Sequence, residues 1–318
     1  MMRSLYSGVS GLKNHQTRMD VIGNNIANVN TIGYKTSRVI FQDIYSQNVK
    51  AASQGDYDTS VDPATAGNYG GTNPAQIGLG VTLAAIDIIH TSAATQRTDN
   101  PTDLAIEGDG FFIIHPNNSL EADDYVGTPV EDGTDFVGTY VDDFLYTRAG
   151  NFYLDNQGRV VTSGGQFVMG YQISDITVDD TTGAVTHTAA ATPNTLTKID
   201  LTGLTGISFD STGTVWCKIG EEKVAVAQVA IAMFTNTSGL EKKGESLYAA
   251  TGNSGTAFAT TANTNGAGKI NPGGLEMSNV DLASEFTDMI VTQRGFQANS
   301  RIITTSDTLL EELVNLKR

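Results

Sequence analysis

Glu107 and Asp109, in the stretch IEGDGFFII (residues 106–114), are the two carboxylates whose spacing most invites chemistry. Two carboxyl groups on one tight turn could divide acid and base roles in glycoside hydrolysis. The same stretch reads more simply as a turn followed by a buried strand, with Phe111 and Phe112 on opposite faces. His15, His90, His115 and His187 are scattered, none with a second His or a carboxylate at zinc-site spacing. GGTNPAQIGLGV (residues 70–81) lacks both the Gly-Lys-Ser/Thr of a phosphate loop and G-x-G-x-x-G, and reads as a loop entering a strand. Cys217, the single cysteine, follows Trp216 on a predicted strand and is a packed core thiol, reactive chemistry beside Lys218 being the alternative. One cysteine permits no internal disulfide and no cysteine metal cluster. No catalytic, cofactor or metal site is predicted.

A different question comes from MDVIGNNIANVNTIGYKTSR (residues 19–38), which opens as an amphipathic helix yet carries Asn24, Asn25, Asn28 and Asn30. Asparagine side chains compete with helical hydrogen bonds, so such a cluster is costly unless something uses the amides. The elements that would position them lie at the two ends of the chain. Leu5, Leu12, Met19 and Ile26 recur every seven residues, with Ile22 and Val29 at the offset position. Leu275, Leu282, Met289, Phe296, Ile303 and Leu310 do the same at the back, flanked by Ile302, Leu309, Leu313 and Leu316. Seven-residue repeats favour packing against another helix, an ordinary amphipathic core helix being the alternative.

Between the ends the sequence turns to Gly, Thr, Asn and Asp with short β-branched runs, which predicts strands. Asp-x-x-Gly recurs in FYLDNQGRVV (Asp155, Gly158), ITVDDTTGAV (Asp180, Gly183) and ISFDSTGTVW (Asp210, Gly213). Asp opening and Gly closing a hairpin turn explains the spacing; the ligand pattern of a calcium loop is missing. The predicted fold is α+β: N- and C-terminal amphipathic helices pairing in coiled-coil fashion, with mainly-β domains inserted between them. The expected division is a helix over 1–30, an extended connector over 31–75, mainly-β structure over 76–275 with surface insertions near 116–143 and 176–198, and a helix over 276–318.

The net charge of −16 opposes nucleic acid and anionic membrane as partners. No apolar run approaches the roughly 20 residues of a membrane span, and no cleavable secretion signal is read.

MMRSLYSGVSGLKNHQTRMDVIGNNIANVNTIGYKTSRVIFQD resembles the N-terminal signature of bacterial flagellar rod and hook proteins, and GGLEMSNVDLASEFTDMIVTQRGFQANSRIITTSDTLLEELVNLKR their C-terminal signature. NPTDLAIEGDGFFII, YTRAGNFYLDNQGRVVTSGG and FTNTSGLEKKGESLYAATGNSG are similar to the family's central β domain. The resemblance implies a structural subunit that polymerises into the hook, of the Gram-positive, Bacillus-like type; the distal rod is the alternative. A cell-surface β adhesin and a hydrolase using Glu107 and Asp109 are the readings from other classes. As family partners it implies copies of the chain itself, the distal rod protein, the hook cap, the hook–filament junction proteins and the flagellar type III export apparatus, with no nucleic acid and no membrane insertion. It implies a flagellar location, in the hook or, for a rod protein, the basal body. The expected assembly residues are Leu5, Leu12, Met19, Ile22, Ile26, Asn24, Asn25, Asn28, Leu282, Met289, Phe296, Ile303 and Leu310. The asparagines would satisfy helix-end carbonyls and neighbouring backbones at a crowded interface, local capping being the alternative.

Overall fold

The computed structural model describes residues 2–53, 57–58, 65–66, 70–116, 144–178, 185–189, 196–219 and 222–316. Helix α1 spans Met2–Ala27 and helix α2 spans Leu282–Asn315, with the strands lying between them in sequence. The chain forms two compact units, one of Met1–Ile26, Ser37–Asp87 and Asp281–Arg318, the other of Ala27–Thr36 and Ile88–Val280.

In the first unit α1 and α2 run antiparallel. A side chain at Gly8 would meet Ile303, one at Gly11 would meet Asn299, and one at Gly295 would strike the His15 ring. Residue numbers rise on one helix as they fall on the other. Strand Ser37–Asp43 pairs with Val81–Ile88, and Ser46–Lys50 with Ala75–Gly78. These strands lie within or beside the range expected to be an extended connector, because β-branched and aromatic residues such as Val39, Ile40 and Phe41 favour a ladder over open coil. The ribbon touches α1 at polar points: Asn14 Nδ2 donates to the Val81 carbonyl at 2.7 Å, and the backbone at Gly80 closes on Ser10. α2 starts at Asp281, whose carboxylate accepts from the Ala283 N–H at 2.9 Å, with Glu285 in the first turn facing the positive helix end.

The second unit is built on an antiparallel sheet ordered Thr205–Phe209, Thr214–Ile219, Glu222–Val229, Phe167–Gln172, Phe111–His115, Leu145–Thr147, Leu247–Ala249 and Glu241–Gly244. Phe111–His115 is buried along its whole length. Alternation sends Phe112 into one core cluster with Val168, Val215 and Ile231, and Phe111 into another with Tyr146, Ala230 and Tyr248. Cys217 packs in the first cluster, and burial pushes its thiol up to about 11, so it is protonated and inert at neutral pH. Two of the Asp-x-x-Gly turns are present: the Gly158 and Gly213 N–H groups each donate to the aspartate carbonyl three residues back, at 2.9 Å, and Gly213 sits at φ +75° where other residues are strained. Asp180 and Gly183 fall outside the described residues, as do most of the two expected insertions. The Gly-rich segment at 70–81 carries the strand Ala75–Gly78 and leads into the next.

Candidate assembly surface

The helix pair shows what the predicted stripes do. The half-buried and buried positions of α1 include Gly8, Gly11, His15, Arg18, Ile22 and Asn25, spaced alternately three and four residues apart. They are small or polar except for Ile22, the one buried hydrophobic side chain of the first unit among the described residues. Gly8, Gly11 and Gly295 let the backbones approach, and the rungs between them are polar: Arg18 pairs with Asp288 at 3.1 Å and the Asn25 amide donates to Glu285 at 3.1 Å. Leu5, Leu12, Met19 and Ile26 lie roughly 60 to 120° round the helix from that seam, at 100° per residue, and are only half-buried.

On α2 the line of buried or half-buried positions that continues this seam runs through Glu285, Asp288, Thr292, Gly295, Asn299, Ile303, Ser306 and Leu310, with Met289, Phe296 and Ser300 half-buried beside it. The expected stripe joins them only at Ile303 and Leu310. A straight helix drifts by about 20° per heptad against a strict seven-residue repeat, so the stripe starts off the seam and converges on it. Leu282 is accordingly exposed, while Met289 and Phe296 are half-buried. Apolar side chains are left open on both helices, including Tyr6 and Val9 on α1 and Phe286, Ile290, Val291, Leu309 and Leu313 on α2; Ile290 is 59% exposed.

The asparagine cluster divides by position. Asn25, 1% exposed, donates to the Ser37 carbonyl at 2.9 Å and accepts from the Ser37 N–H at 3.1 Å while also reaching Glu285, so one amide joins α1, the following strand and the start of α2. Asn24 is exposed. Asn28 is half-buried: its carbonyl accepts from the Thr31 N–H, and its side chain accepts from the Thr31 hydroxyl at 3.0 Å.

In the second unit the segments that follow α1 and precede α2 meet at a buried charge cluster that sequence reasoning missed. Lys35 and Glu276 are 0% exposed and Arg148 is 1% exposed. Lys35 Nζ donates to Glu276 Oε1 and to the Thr91 carbonyl, both at 2.7 Å. Arg148 Nη1 donates to Glu276 Oε2 at 3.2 Å and to the Ile106 carbonyl at 3.3 Å; its Nη2 donates to the Gly108 carbonyl at 2.7 Å. The Ala93 N–H also reaches Glu276 Oε1, at 3.1 Å. Burial lowers the Lys35 pKa, the Glu276 carboxylate opposing it. Beside it Gly33, at φ +66°, lies so close to the Arg148–Ala149 backbone that a Cβ there would sit 2.6 Å from the Ala149 nitrogen.

The two carboxylates weighed for catalysis have different surroundings. Glu107 pairs with Lys269 at 2.9 Å and accepts from Asn271; the Lys269 hydrogen bond holds its pKa below the usual value, the reverse of what a general acid needs. Asp109 is exposed. His15 packs edge-on against Phe41, His90 against Phe111 and Tyr248, and His115 against Phe144. No group of three potential metal ligands occurs among the described residues, and no helix there is long and apolar enough to cross a membrane.

Three family models match. Residues 5–35 match the flagella basal body rod protein family, residues 137–217 the flagellar hook protein FlgE/F/G D1 domain, and residues 271–316 the flagellar basal body rod FlgEFG protein C-terminal family. The chain is 45% identical over 320 residues to the flagellar basal-body rod protein FlgG of Bacillus subtilis (strain 168), all of both chains being covered. It is 33% identical, over 451 aligned positions and again all of both chains, to the flagellar hook protein FlgE of Borreliella burgdorferi. It is 30% identical to FlgG of Caulobacter vibrioides, with 99% of this chain and all of that one covered. The matches run along the whole chain, from the N-terminal helix through the β unit to the C-terminal helix, and the chain belongs to the flagellar rod and hook axial protein family.

Proposed function

We propose that the chain is a structural subunit of the flagellar axis that polymerises through its terminal helices into an open helical tube. The observation that carries this is the contrast between the units: both hydrophobic core clusters lie in the β unit, whereas among the described residues the helical unit buries one hydrophobic side chain, Ile22, and leaves Phe286, Ile290, Val291 and Leu313 open. Exposed apolar surface on this scale marks an interaction site. The surface runs along both helices, which suits copies related by a screw operation that does not close. The seam within one chain, made of glycines and polar rungs, sets the pair's geometry; the apolar flanks, with Leu5, Leu12, Met19, Ile26, Leu282, Met289 and Phe296 at their edges, join neighbours.

Within the axis we place the chain in the rod. Supporting this is the whole-length match to a rod protein at 45% identity in an alignment of 320 positions, close to the 318 residues of this chain. The hook is the second reading, favoured by the hook-domain match over residues 137–217 and the whole-length hook relative. The axial partners are the neighbouring rod and hook subunits and the export apparatus that delivers them. Antibody labelling of isolated hook–basal bodies discriminates the two: label confined to the rod is the expected result, and label along the curved hook would select the second reading.

A further inference from the structure

We propose that copies of the chain are keyed to one another by a charged row on α2, Arg294 and Arg301 of one copy pairing with Glu311 and Glu312 of the next. On the assembly reading above, these pairs set the register in which the apolar faces meet.

Arg294, Arg301, Glu311 and Glu312 are exposed, and none has an ion-pair partner among the described residues. Their own helix supplies none either, since no residue three or four positions from Arg294, Arg301 or Glu312 is charged. The acidic end is unfavourable in an isolated chain. Glu312 stands in the last turn of α2, which carries no basic residue although the helix dipole favours cations there. Glu311 lies four residues after Asp307, a like-charge neighbour on the same helix. A cation from outside the chain relieves both.

Position ties these charges to the apolar face. Arg301 follows Arg294 by seven residues and precedes Glu312 by eleven, so at 100° per residue the three line one side of the helix to within about 20°. The exposed Ile290 and Val291 flank Arg294 on either side, and Ile302 and Leu309 border the row further along. An interface that covers these apolar side chains therefore covers the charges with them, where an unpaired charge is strongly destabilising. Arg301 and Glu312 are about 16 Å apart along the axis, too far to pair within one helix. A second copy packed without displacement would set arginine against arginine and glutamate against glutamate. A copy displaced along the helix brings its acidic end beside the arginines, so the charges select the displaced register. That contact repeats from copy to copy without closing.

Three variants of the full chain test the pairing, each followed by electron microscopy of the axial structures made by cells, immunoblot of the secreted chain and circular dichroism of the purified monomer. Arg294→Glu with Arg301→Glu, and separately Glu311→Arg with Glu312→Arg, set like charges at every contact and should abolish tubes. All four substitutions in one chain reverse the sign of every pair and should restore them. Helix content should not fall in any of the three, because the four positions are exposed. Normal tubes from either half-exchanged chain would overturn the pairing and leave assembly through the apolar face standing. A fourfold chain that is secreted and helical yet makes no tube would overturn it as well, because the reversed charges would not be meeting. Should the fourfold chain stay in the cell, producing the two half-exchanged chains together supplies the same reversed pairs, and an absence of mixed tubes would count against the pairing. Failure of the unaltered chain to form tubes would instead sink the assembly reading itself.

Discussion

Lys35 and Glu276 are separated by 241 positions and still share a 2.7 Å ion pair with no exposure to solvent. Leaving one member of such a set unpartnered costs about 3–5 kcal/mol. Glu276→Gln should lower unfolding stability by that order in urea titrations, without changing the slope of the transition. Gly33→Ala should act at the same place through the backbone, because the positive φ and the Arg148–Ala149 contact both refuse a methyl group; a loss of at least 1 kcal/mol in the same titration is expected. His90 sets a pH dependence. Its folded pKa of about 4 lies below the ordinary 6.5, so the unfolded chain binds the extra proton between those values and stability falls as pH drops through that window. The full effect is about 3 kcal/mol. His90→Phe should flatten the stability profile between pH 6.5 and 4, measured as urea midpoints against pH. None of this was legible in the sequence. A lysine after a helix and a glutamate in GGLEMS look like surface charges, and only the fold brings them together. Glu107 misled in the other direction, since its neighbour in space, Lys269, is 162 residues on.

At the scale of the element, the two terminal helices and the β texture between them could be read directly, because periodicity and turn chemistry are local. Phe111 and Phe112 reached opposite cores, and Asp210 and Gly213 made their turn, for the same reason. The seam could not be read the same way. Counting sevens picked out the largest apolar residues, whereas the antiparallel pair closes over Gly8, Gly11 and Gly295, which a hydrophobic pattern ignores. Gly295→Leu should therefore disturb the pair more than changing Leu282, which is exposed in the monomer. The check is helix content by circular dichroism beside a distance between spin labels on α1 and α2, expected to lengthen for Gly295→Leu and to stay put for Leu282→Ala. Asn25 stands out in the sequence as an amide inside a helix, and its partners Ser37 and Glu285 come from packing, not from a cap.

At the scale of the whole molecule, the buried cores are concentrated in one unit and most of the exposed large apolar side chains in the other. Both core clusters belong to the β unit. The helical unit has glycine-lined contacts, polar rungs and a short ribbon, and isolated helices with open apolar faces are marginal in water. Limited proteolysis of the monomer should accordingly trim both terminal helices and leave a resistant fragment of about residues 28–280, which keeps Lys35 and Glu276, while assembled protein should resist at both ends. A monomer whose termini resist as well as its middle would show that the helices need no neighbours. The most direct measurement is electron microscopy of the axial structures made by cells carrying Ile290→Asp, beside circular dichroism of the purified variant. Ile290 is 59% exposed, so a charge there leaves the monomer's fold and helix content unchanged. In a tube joined through that face each copy would bury an unpaired carboxylate at every repeat. The expected result is a folded, secreted monomer and no tube; normal tubes built from the Ile290→Asp chain would contradict assembly through the open face of the helices.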